Sequence, residues 1–353
     1  MSDLDDLAAT VPPTRQYRGR TRASVSARSP AREPREQAAA NFPQDWGARG
    51  DGEAAENGAA REIAATPWAN GAFQWGAKTY VMGIINLTPD SFSGDGLAGN
   101  PASAAALALA MVADGADILD LGAESTRPGH TPIGVAEEIA RLVPALRAIR
   151  ARLGPTIPMS VDTSKAAVAA AALDAGANFV NDVRGLTADP DLAPLVAARG
   201  VPVVVMHDIP PDGRGDLITS ILRELSRRLD RALAAGIAWD HLIVDPGFGF
   251  GKDWRQNLEL LRRLGELGVL GRPILAGTSR KSTIGRVLGL PEHDRVEGTA
   301  ATVALAIAQG ADIVRVHDVR AMSRVARMTD AVVRWPQNEA REWGGREAGT
   351  LCR

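Results

Sequence analysis

The stretch Tyr80-Val-Met-Gly-Ile-Ile85 is the first of eight short apolar runs that recur between residues 79 and 316. The other runs are Ile118–Leu121, Ile157–Val161, Phe179–Val180, Val201–Met206, Leu242–Val244, Ile274–Ala276 and Ile313–Val316. Most of them are too short to be helices, and they are rich in Val, Ile and Leu without polar alternation. This composition is typical of strands buried on both faces, as in a parallel sheet.

Stretches rich in Ala and Leu with helical spacing lie between these runs, such as Ala102–Ala113, Ala166–Ala175 and Leu217–Ala235. Glycine-containing steps that would end a helix and lead into the next strand occur at Asp114–Asp117, Asp174–Asn178 and Gln309–Asp312. Repeated strand-then-helix units predict an α/β fold, a closed (β/α)8 TIM barrel, for which about 250 residues is a typical length. In such a barrel the residues just past each strand share one mouth.

The composition fits one large domain and a tail, with 353 residues, 45% hydrophobic content and a net charge of −2. This charge balance does not predict a nucleic-acid-binding surface. The only cysteine, Cys352, has no partner in the chain for a disulfide or a Cys metal site, so a reducing cytoplasm is the expected location. No apolar run approaches the roughly 20 residues of a membrane span. The acidic start Asp3-Leu-Asp-Asp6 lacks the basic and apolar regions of a signal peptide.

Three segments are predicted along the chain. Residues 1–66 are expected to form a disordered arm rich in Arg, Ala and Pro, residues 67–335 the barrel, and residues 336–353 a loose C-terminal tail. Between Arg15 and Arg35 there are seven arginines and a single acid, Glu33, with no periodic apolar face to bury. Weak binding to an acidic partner and a mis-set start codon are the alternative explanations of the arm.

Polar residues follow nearly every predicted strand. They are Asn86–Gly96, Glu124–Gly129, Asp162–Lys165, Asn181–Asp182, Asp245–Lys252, Gly277–Ser282 and Arg315–Asp318. Several of these segments contain Gly and Pro, which suit loops that approach or cover a ligand. The sequence therefore predicts a ligand site at the carboxyl ends of the strands.

One subset of these residues is basic. Arg127, Lys281, Arg315 and His317 come from three strand ends and could converge on a polyanion such as a phosphate or pyrophosphate. Each alone is weak evidence, since a single arginine at a barrel rim is more often solvated or paired. Their coincidence favours an anion site.

A second subset consists of two carboxylates and an amide, Asp162, Asn181 and Asp245. Buried carboxylates need partners, and a flat heterocycle with amino and ring N–H donors would supply them. The alternative is an internal salt-bridge network with Lys165 or Lys281.

Six motifs in this order resemble those of dihydropteroate synthase, a pterin-binding TIM-barrel family. They are Met82–Ser93, Gly122–Gly129, Ser160–Lys165, Asp245–Lys252, Ser279–Ser282 and Arg315–Asp318. The similarity runs from about Tyr80 to Val333. It implies a transferase of folate biosynthesis, which condenses 6-hydroxymethyl-7,8-dihydropterin pyrophosphate with p-aminobenzoate to give 7,8-dihydropteroate and pyrophosphate.

The resemblance also implies a role for each matching position. The pterin pocket would be formed by Asp162, Asn181, Met206, Asp245 and Lys281. The pyrophosphate would be bound by Asn86, Arg127, Arg315 and His317. The p-aminobenzoate site would include Phe92, Thr126, Pro128, Phe250 and Ser282. The catalytic residues implied are Asp162, Lys281, Arg315 and His317.

A metal ion and a partner are implied in the same way. Asn86 matches the position associated with Mg²⁺, an ion that keeps several waters and bridges substrate phosphates, so no dedicated metal cage is expected. Sulfonamides, which imitate p-aminobenzoate, would be expected to compete at its site. A homodimer is implied through the apolar helical faces of Val287–Ala308 and Met322–Val333, although core packing would explain the same pattern.

The implied mechanism is a dissociative substitution at the exocyclic methylene of the pterin, which needs no protein nucleophile. Arg127, Arg315, His317 and Mg²⁺ would stabilise the charge that grows on the leaving pyrophosphate. An ionised Asp162 beneath the ring would favour the transient cation. Closure of the loops Asn86–Gly96 and Glu124–Ile133 over the mouth would exclude water.

One stretch departs from the family pattern. Met206-His-Asp-Ile-Pro-Pro-Asp-Gly-Arg-Gly215 keeps the Met-His start but lacks the Met-Gln-Gly-x-Pro stretch and the following Met-Gln, and it is shorter. It is either a tolerated loop variant or a sign of altered substrate scope, as in a paralogue that binds pterin without efficient synthesis. A third hypothesis is a methyltetrahydrofolate methyltransferase, which shares the barrel and pterin pocket but uses a corrinoid partner. The set Arg127, Arg315 and His317 argues against it.

Overall fold

The structure is a computed structural model that describes residues 63–88, 100–125, 131–211, 213 and 215–334. All of these lie in the larger of two units of the chain, residues 50–353. The predicted C-terminal tail and the predicted arm lie outside the described residues, except for residues 63–66 of the arm.

In the described part of the chain, ten strands form a small hairpin and a barrel. They are β1 (Thr66–Trp68), β2 (Gly71–Phe73), β3 (Tyr80–Asn86), β4 (Ile118–Gly122), β5 (Met159–Asp162), β6 (Phe179–Asp182), β7 (Val203–Met206), β8 (Leu242–Asp245), β9 (Leu275–Ala276) and β10 (Ile313–Val316). The runs predicted as strands are confirmed as β3 to β10. They are mostly apolar because both faces are buried, and their polar residues lie mainly at the carboxyl ends.

The eight barrel strands are parallel and follow the order β3 to β8, with β10 and β9 on the other side of β3. The ring closes between β8 and β9 through a bridge from Val244 to Ile274. There the Val244 N–H donates to the carbonyl oxygen of Pro273 at 2.9 Å. The predicted TIM barrel is therefore confirmed.

Nine α-helices are described around the barrel. They are α1 (Pro101–Ala113), α2 (Val135–Leu153), α3 (Ala166–Asp174), α4 (Leu192–Arg199), α5 (Leu217–Ala234), α6 (Trp254–Arg262), α7 (Ser282–Leu288), α8 (Val296–Ala308) and α9 (Val319–Val333). Short 3-10 helices cover Trp239–His241 and Leu264–Leu270. The apolar segment Val287–Ala308 is divided between α7 and α8, because Gly289 ends α7 in a left-handed conformation. Among the described helices, none is both long and apolar enough to cross a membrane.

The three predicted glycine-containing helix ends have the same backbone arrangement, which is called the joint below. Helices α1, α3 and α8 end just before Gly115, Gly176 and Gly310, all of which have positive φ angles between 91° and 109°. The polar residue two positions later accepts a hydrogen bond from a backbone N–H at the start of the preceding strand. The acceptors are Asp117 for Val81, Asn178 for Met159 and Asp312 for Ile274, at 2.9 to 3.0 Å. These joints fix the register of neighbouring units.

The antiparallel hairpin β1–β2 was not predicted, because its three-residue strands are too short to give a periodic signal. Its Phe73 is 2% exposed and belongs to a core cluster with residues from seven of the barrel strands, namely Met82, Ile118, Phe179, Val204, Ile243, Leu275 and Ile313. The rings of Phe73 and Phe179 meet edge to face with centroids 5.8 Å apart. This packing fills the amino-terminal end of the barrel, and the carboxyl ends of the strands are where a ligand site is expected.

Candidate active site

The strand register places several predicted residues in one row at the mouth. Asn86 pairs with Gly122, Gly122 with Asp162, and Asp162 with Asn181. On the adjoining side of the barrel, Met206 of β7 pairs with Asp245 of β8. The prediction that these side chains share one end of the barrel is therefore confirmed for the described residues.

Arg315 links the two predicted subsets of site residues. Its Nη2 donates to Asp162 Oδ2 at 2.8 Å, and its Nε donates to Asp120 Oδ2 at 2.6 Å. The arginine reaches inward from β10 between β4 and β5. The basic and acidic groups thus form one paired cluster at the base of the mouth, and Arg315 is oriented before any ligand arrives.

Asp120 is a site residue that sequence reasoning missed. It is fully buried in β4 and, besides Arg315, accepts hydrogen bonds from Ser160 Oγ at 2.5 Å and Asn181 Nδ2 at 3.1 Å. The signal was present in Ile118-Leu-Asp-Leu-Gly122, where a single carboxylate interrupts an apolar strand. Such a carboxylate needs partners, and these partners come from three other strands.

The two predicted carboxylates of the pterin pocket have raised pKa values. Burial raises the pKa of Asp162 to about 7, with further increases from Asp120, Asp182 and Glu138 that the charge of Arg315 opposes. Burial likewise raises the pKa of Asp245 to about 6, although this carboxylate accepts a 2.7 Å hydrogen bond from Gly247 N. Burial is the largest cause in both cases, and a bound ligand rich in N–H groups would favour the ionised forms.

Asp245→Asn should alter the dependence of stability on pH. Because burial raises the pKa of Asp245 from 3.8 to about 6, the folded protein retains a proton that the unfolded chain releases between these pH values. The free energy of unfolding of the wild type should therefore fall relative to the variant from about pH 4 to about pH 6, by on the order of 2 kcal/mol. Denaturant titrations of both proteins across this pH range measure the difference in free energy of unfolding. Contributions from groups that titrate alike in both proteins, including the histidines, cancel in this difference. A difference that is constant across the window would contradict the prediction.

The loop after β8 is folded around Lys252. Its buried Nζ, whose pKa burial lowers to about 7, contacts His207 Nδ1 at 2.9 Å and donates to the carbonyl oxygens of Phe250 at 3.0 Å and Gly247 at 3.1 Å. A side chain at Gly247 would lie 1.9 Å from the carbonyl oxygen of His207, and the residue has a φ of 73°, so only glycine fits. The loop brings the Phe250 ring to 4.4 Å from Lys281 Nζ, so two predicted ligand contacts meet over the mouth.

His317 lies just past the end of β10, and its pKa is lowered. Burial, together with the charges of Arg280 and Arg315, lowers its pKa to about 3. Its Nδ1 lies 3.0 Å from Ser279 Oγ, and its backbone N–H donates to the same oxygen at 3.2 Å. The place of His317 in the predicted anion site stays a prediction, and the lowered pKa favours a neutral imidazole that would contribute hydrogen bonds there.

Lys165 has partners other than those considered from the sequence. Its Nζ contacts Glu124 and Glu138, the second at 2.6 Å, and donates to the carbonyl oxygen of Ile133 at 2.8 Å. Glu138 also accepts from Thr163 Oγ1 at 2.7 Å. The internal salt-bridge network considered as the alternative is therefore present at Asp162, but its cation is Arg315 and not Lys165.

The remaining predicted residues fall into two groups. Ser282 is the exposed first residue of α7, and Asn86 is half-buried at the end of β3. Phe92, Thr126, Arg127 and Pro128 lie outside the described residues, as do most of the two loops expected to close.

A cavity of about 530 Å³ adjoins Asp162 and Phe250 at the mouth, within the usual size range of small-molecule sites. In the described part of the chain, no three His, Cys, Asp or Glu side chains are grouped as ligands for a metal.

Comparison with known proteins identifies the family of this barrel. The family model described as "Pterin binding enzyme" matches residues 82–317. The chain is 45% identical to the dihydropteroate synthase of Bacillus subtilis over 262 residues, 74% of this chain and 91% of that protein. The chain belongs to the dihydropteroate synthase family.

Solved structures of dihydropteroate synthases agree with this assignment. The Clostridium difficile enzyme in the presence of pteroic acid is similar with a TM-score of 0.69 and 45% identity, covering 74% of this chain and 99% of that one. The Yersinia pestis enzyme in a sulfonamide drug complex is similar with a TM-score of 0.72 and 39% identity, covering 76% and 99%. The family predicted from the six sequence motifs is confirmed, while the roles of individual residues stay predictions.

Proposed function

We propose that this chain catalyses the dihydropteroate synthase reaction, joining 6-hydroxymethyl-7,8-dihydropterin pyrophosphate to p-aminobenzoate with release of pyrophosphate. The observation that carries the proposal is the cluster of Asp162, Asn181 and Arg315 at the base of the mouth, in a chain 45% identical to a dihydropteroate synthase. The reaction transfers a pterinylmethyl group, so the protein is a transferase of folate biosynthesis.

Recognition of the pterin follows from the unfilled hydrogen-bonding capacity of the pocket. Asp162 and Asp245 are buried carboxyls with raised pKa values, so they gain most from a flat ring that presents amino and N–H groups. Asn181 is held by Asp120 and supplies an amide in the same layer. Lys281 can donate to the acceptors of the ring, and Met206 ends the neighbouring strand beside Asp245.

Departure of the pyrophosphate needs positive charge and hydrogen-bond donors at the rim. Arg315 supplies a partly buried guanidinium, and His317 and Ser279 supply hydrogen bonds from the adjacent strand ends. Arg127, whose position lies outside the described residues, is proposed as a further ligand of the anion. Donors fixed in advance stabilise developing charge without reorganisation, so no protein nucleophile is required.

We propose Mg²⁺ as the cofactor, with the Asn86 amide oxygen as its protein ligand. This donor fits because Asn86 ends β3 at the mouth, half-buried, and hard oxygen ligands suit the ion. When bound, the ion neutralises charge on the pyrophosphate. Removal of divalent ions by EDTA should abolish turnover, and added Mg²⁺ should restore it. Asn86→Ala should raise the Mg²⁺ concentration needed for half-maximal turnover several-fold, and an unchanged requirement would contradict the assignment.

The amine substrate is proposed to bind between Phe250 and Ser282. Phe250 lies against Lys281, and Ser282 opens α7 with an exposed side chain, so an apolar ring and a carboxylate both find contacts there. Phe92, Thr126 and Pro128 are proposed to complete the site. The test is competition: a sulfonamide should raise the KM for p-aminobenzoate without changing kcat. Inhibition that p-aminobenzoate cannot relieve would contradict this placement.

A paralogue that binds pterin without efficient synthesis is the second candidate, and the loop after β7 is the observation that favours it. That loop carries Asp208 and Ile209 where the family commonly has Met-Gln-Gly. Both candidates retain Asp162, Asn181 and Asp245, so binding alone does not separate them. Formation of product with saturable dependence on p-aminobenzoate does.

A homodimer and a cytoplasmic location are also proposed. Large apolar side chains are exposed on α8 and α9, including Leu305, Met328, Val332 and Val333, at 42% to 65%. A second copy that covers this patch would remove them from water. Sedimentation at micromolar concentration should show a dimer, and a monomer would contradict the proposal.

The cytoplasmic location is proposed because the chain has a single cysteine and so cannot form an intrachain disulfide, which is typical of proteins in a reducing compartment.

A further inference from the structure

The loop that departs from the family pattern is anchored by a buried ion pair. Asp208, two residues past the end of β7, is 3% exposed, and Arg228 in the middle of α5 is 1% exposed. Arg228 Nη2 lies 2.8 Å from Asp208 Oδ1, as an ion pair rather than a well-aligned hydrogen bond. Burying two charges is costly, and an apolar pair of similar size is often at least as stable. The pair therefore needs an explanation other than stability.

Arg228 donates hydrogen bonds to backbone carbonyl oxygens at two strand ends that border the pterin pocket. Its Nη1 donates to the carbonyl oxygens of Met206, at the end of β7, and of Arg184, just past β6, the second at 3.1 Å. Its Nε donates to Glu224 Oε1 on the same helix at 2.9 Å. The planar guanidinium can hold all of these acceptors at once, whereas a lysine cannot.

The space around the guanidinium shows that the position is closely constrained. A Cβ atom at Gly185 would lie 2.4 Å from Arg228 Nη1 and 2.4 Å from the carbonyl oxygen of Met206. Gly185 also has a φ of 57°, in the left-handed region. The loop after β6 thus passes directly over the contact between Arg228 and Met206, and only glycine permits this approach.

The same segment is tied to the pterin pocket on its other side. The His207 N–H donates to the carbonyl oxygen of Asp245 at 2.9 Å, and His207 Nδ1 lies 2.9 Å from Lys252 Nζ. Met206 itself pairs in register with Asp245. Residues 206–208 are therefore held between α5 and the strand that carries a pterin-binding carboxylate.

We propose that Arg228 and Asp208 are positioning residues for pterin binding, which fix the ends of β6 and β7 in place of the longer loop found in the family. The proposal rests on the proposed function. Asp208 borders the cavity at the mouth, and Arg228, which is 1% exposed, holds it from α5. They act through the carbonyl of Met206 and through the His207 segment, so their loss should weaken pterin binding more than p-aminobenzoate recognition, which also depends on Ser282 at the start of α7.

The test uses Arg228→Lys, which keeps the charge beside Asp208 but cannot hold both carbonyl oxygens. Binding of 6-hydroxymethylpterin, followed by its fluorescence, should weaken at least fivefold, and the KM for the pterin substrate should rise by a similar factor. The KM for p-aminobenzoate should stay within twofold of wild type. Asp208→Asn should shift both quantities in the same direction, and the double variant should be less impaired than the product of the two single effects. Arg227→Met, one position along α5 and 66% exposed, is the matched control.

Two results would overturn the proposal. Pterin binding by Arg228→Lys and Asp208→Asn that equals that of Arg227→Met would show that the pair has no positioning role. Equal losses for pterin and p-aminobenzoate, together with a lowered melting temperature, would show a role in stability alone. If Arg228→Lys does not fold, Asp208→Asn decides between these outcomes. Failure of the wild type to bind the pterin would instead refute the proposed function, so the two failures are distinguishable.

Discussion

Arg315→Lys is expected to lower kcat/KM for dihydropterin pyrophosphate by about 10²- to 10³-fold, the range found when a preorganised donor to developing charge is lost. Arg315 is placed by two hydrogen bonds, from Nε to Asp120 and from Nη2 to Asp162. A lysine keeps the charge but cannot bridge both carboxylates or present a planar edge to the leaving group. Steady-state kinetics with each substrate varied in turn measure the loss.

Two further variants, Arg320→Lys and Arg315→Met, serve as comparisons for Arg315→Lys. Arg320→Lys, on the following helix and 71% exposed, should leave kcat/KM within twofold of wild type. Arg315→Met should be as inactive as Arg315→Lys and also less stable, by about 3 to 5 kcal/mol, because it leaves two buried carboxylates without their cation. Near-normal kcat/KM in Arg315→Lys would contradict the role assigned to the guanidinium.

Asp162→Asn is expected to lower kcat by about 10²-fold while weakening pterin affinity much less. In the proposed dissociative mechanism the pterin becomes a transient cation, and an ionised Asp162 beneath it stabilises that charge only as the reaction proceeds. Binding of the neutral ring depends mainly on hydrogen bonds, several of which an amide can still make. Turnover and pterin dissociation constants, measured on the same preparations, separate the two effects.

The dependence of kcat/KM on pH provides a second test of Asp162, because it follows the protonation of this carboxyl group. Burial raises the pKa of Asp162 to about 7, so the active ionised form is lost as pH falls below that value in the unliganded protein. The decrease of kcat/KM at acidic pH should therefore be smaller in Asp162→Asn than in the wild type. Equal losses of turnover and pterin affinity would count against the electrostatic role and would indicate simple loss of a binding group.

Much of the fold could be predicted from local sequence. Continuous apolar runs such as Val203–Met206 form strands because burial on both faces leaves no polar position, and chain order then places their ends at one mouth. The joints at Gly115, Gly176 and Gly310 combine a positive φ with a polar residue two positions later, which is also visible in the sequence. The cluster of polar residues at strand ends predicted the site for the same reason.

The missed features depend on contacts between distant segments. Asp120 stands alone in an apolar strand, and its importance appears only when Arg315, 195 positions away, reaches it across the barrel. Arg228 lies in an amphipathic helix where a charged residue is ordinarily solvated, and only the fold brings Asp208 beside it. The lowered pKa of His317 was not foreseen, because burial next to two arginines cannot be deduced from a strand-end motif.

The central claim is tested most directly by formation of 7,8-dihydropteroate by the purified wild-type protein, supplied with dihydropterin pyrophosphate, p-aminobenzoate and Mg²⁺, beside the Arg315→Lys variant. We expect product that requires both substrates, falls when a sulfonamide is added and is reduced at least a hundredfold in the variant. Pterin binding by the wild type without product above the level of Arg315→Lys would contradict the synthase assignment and indicate a pterin-binding protein.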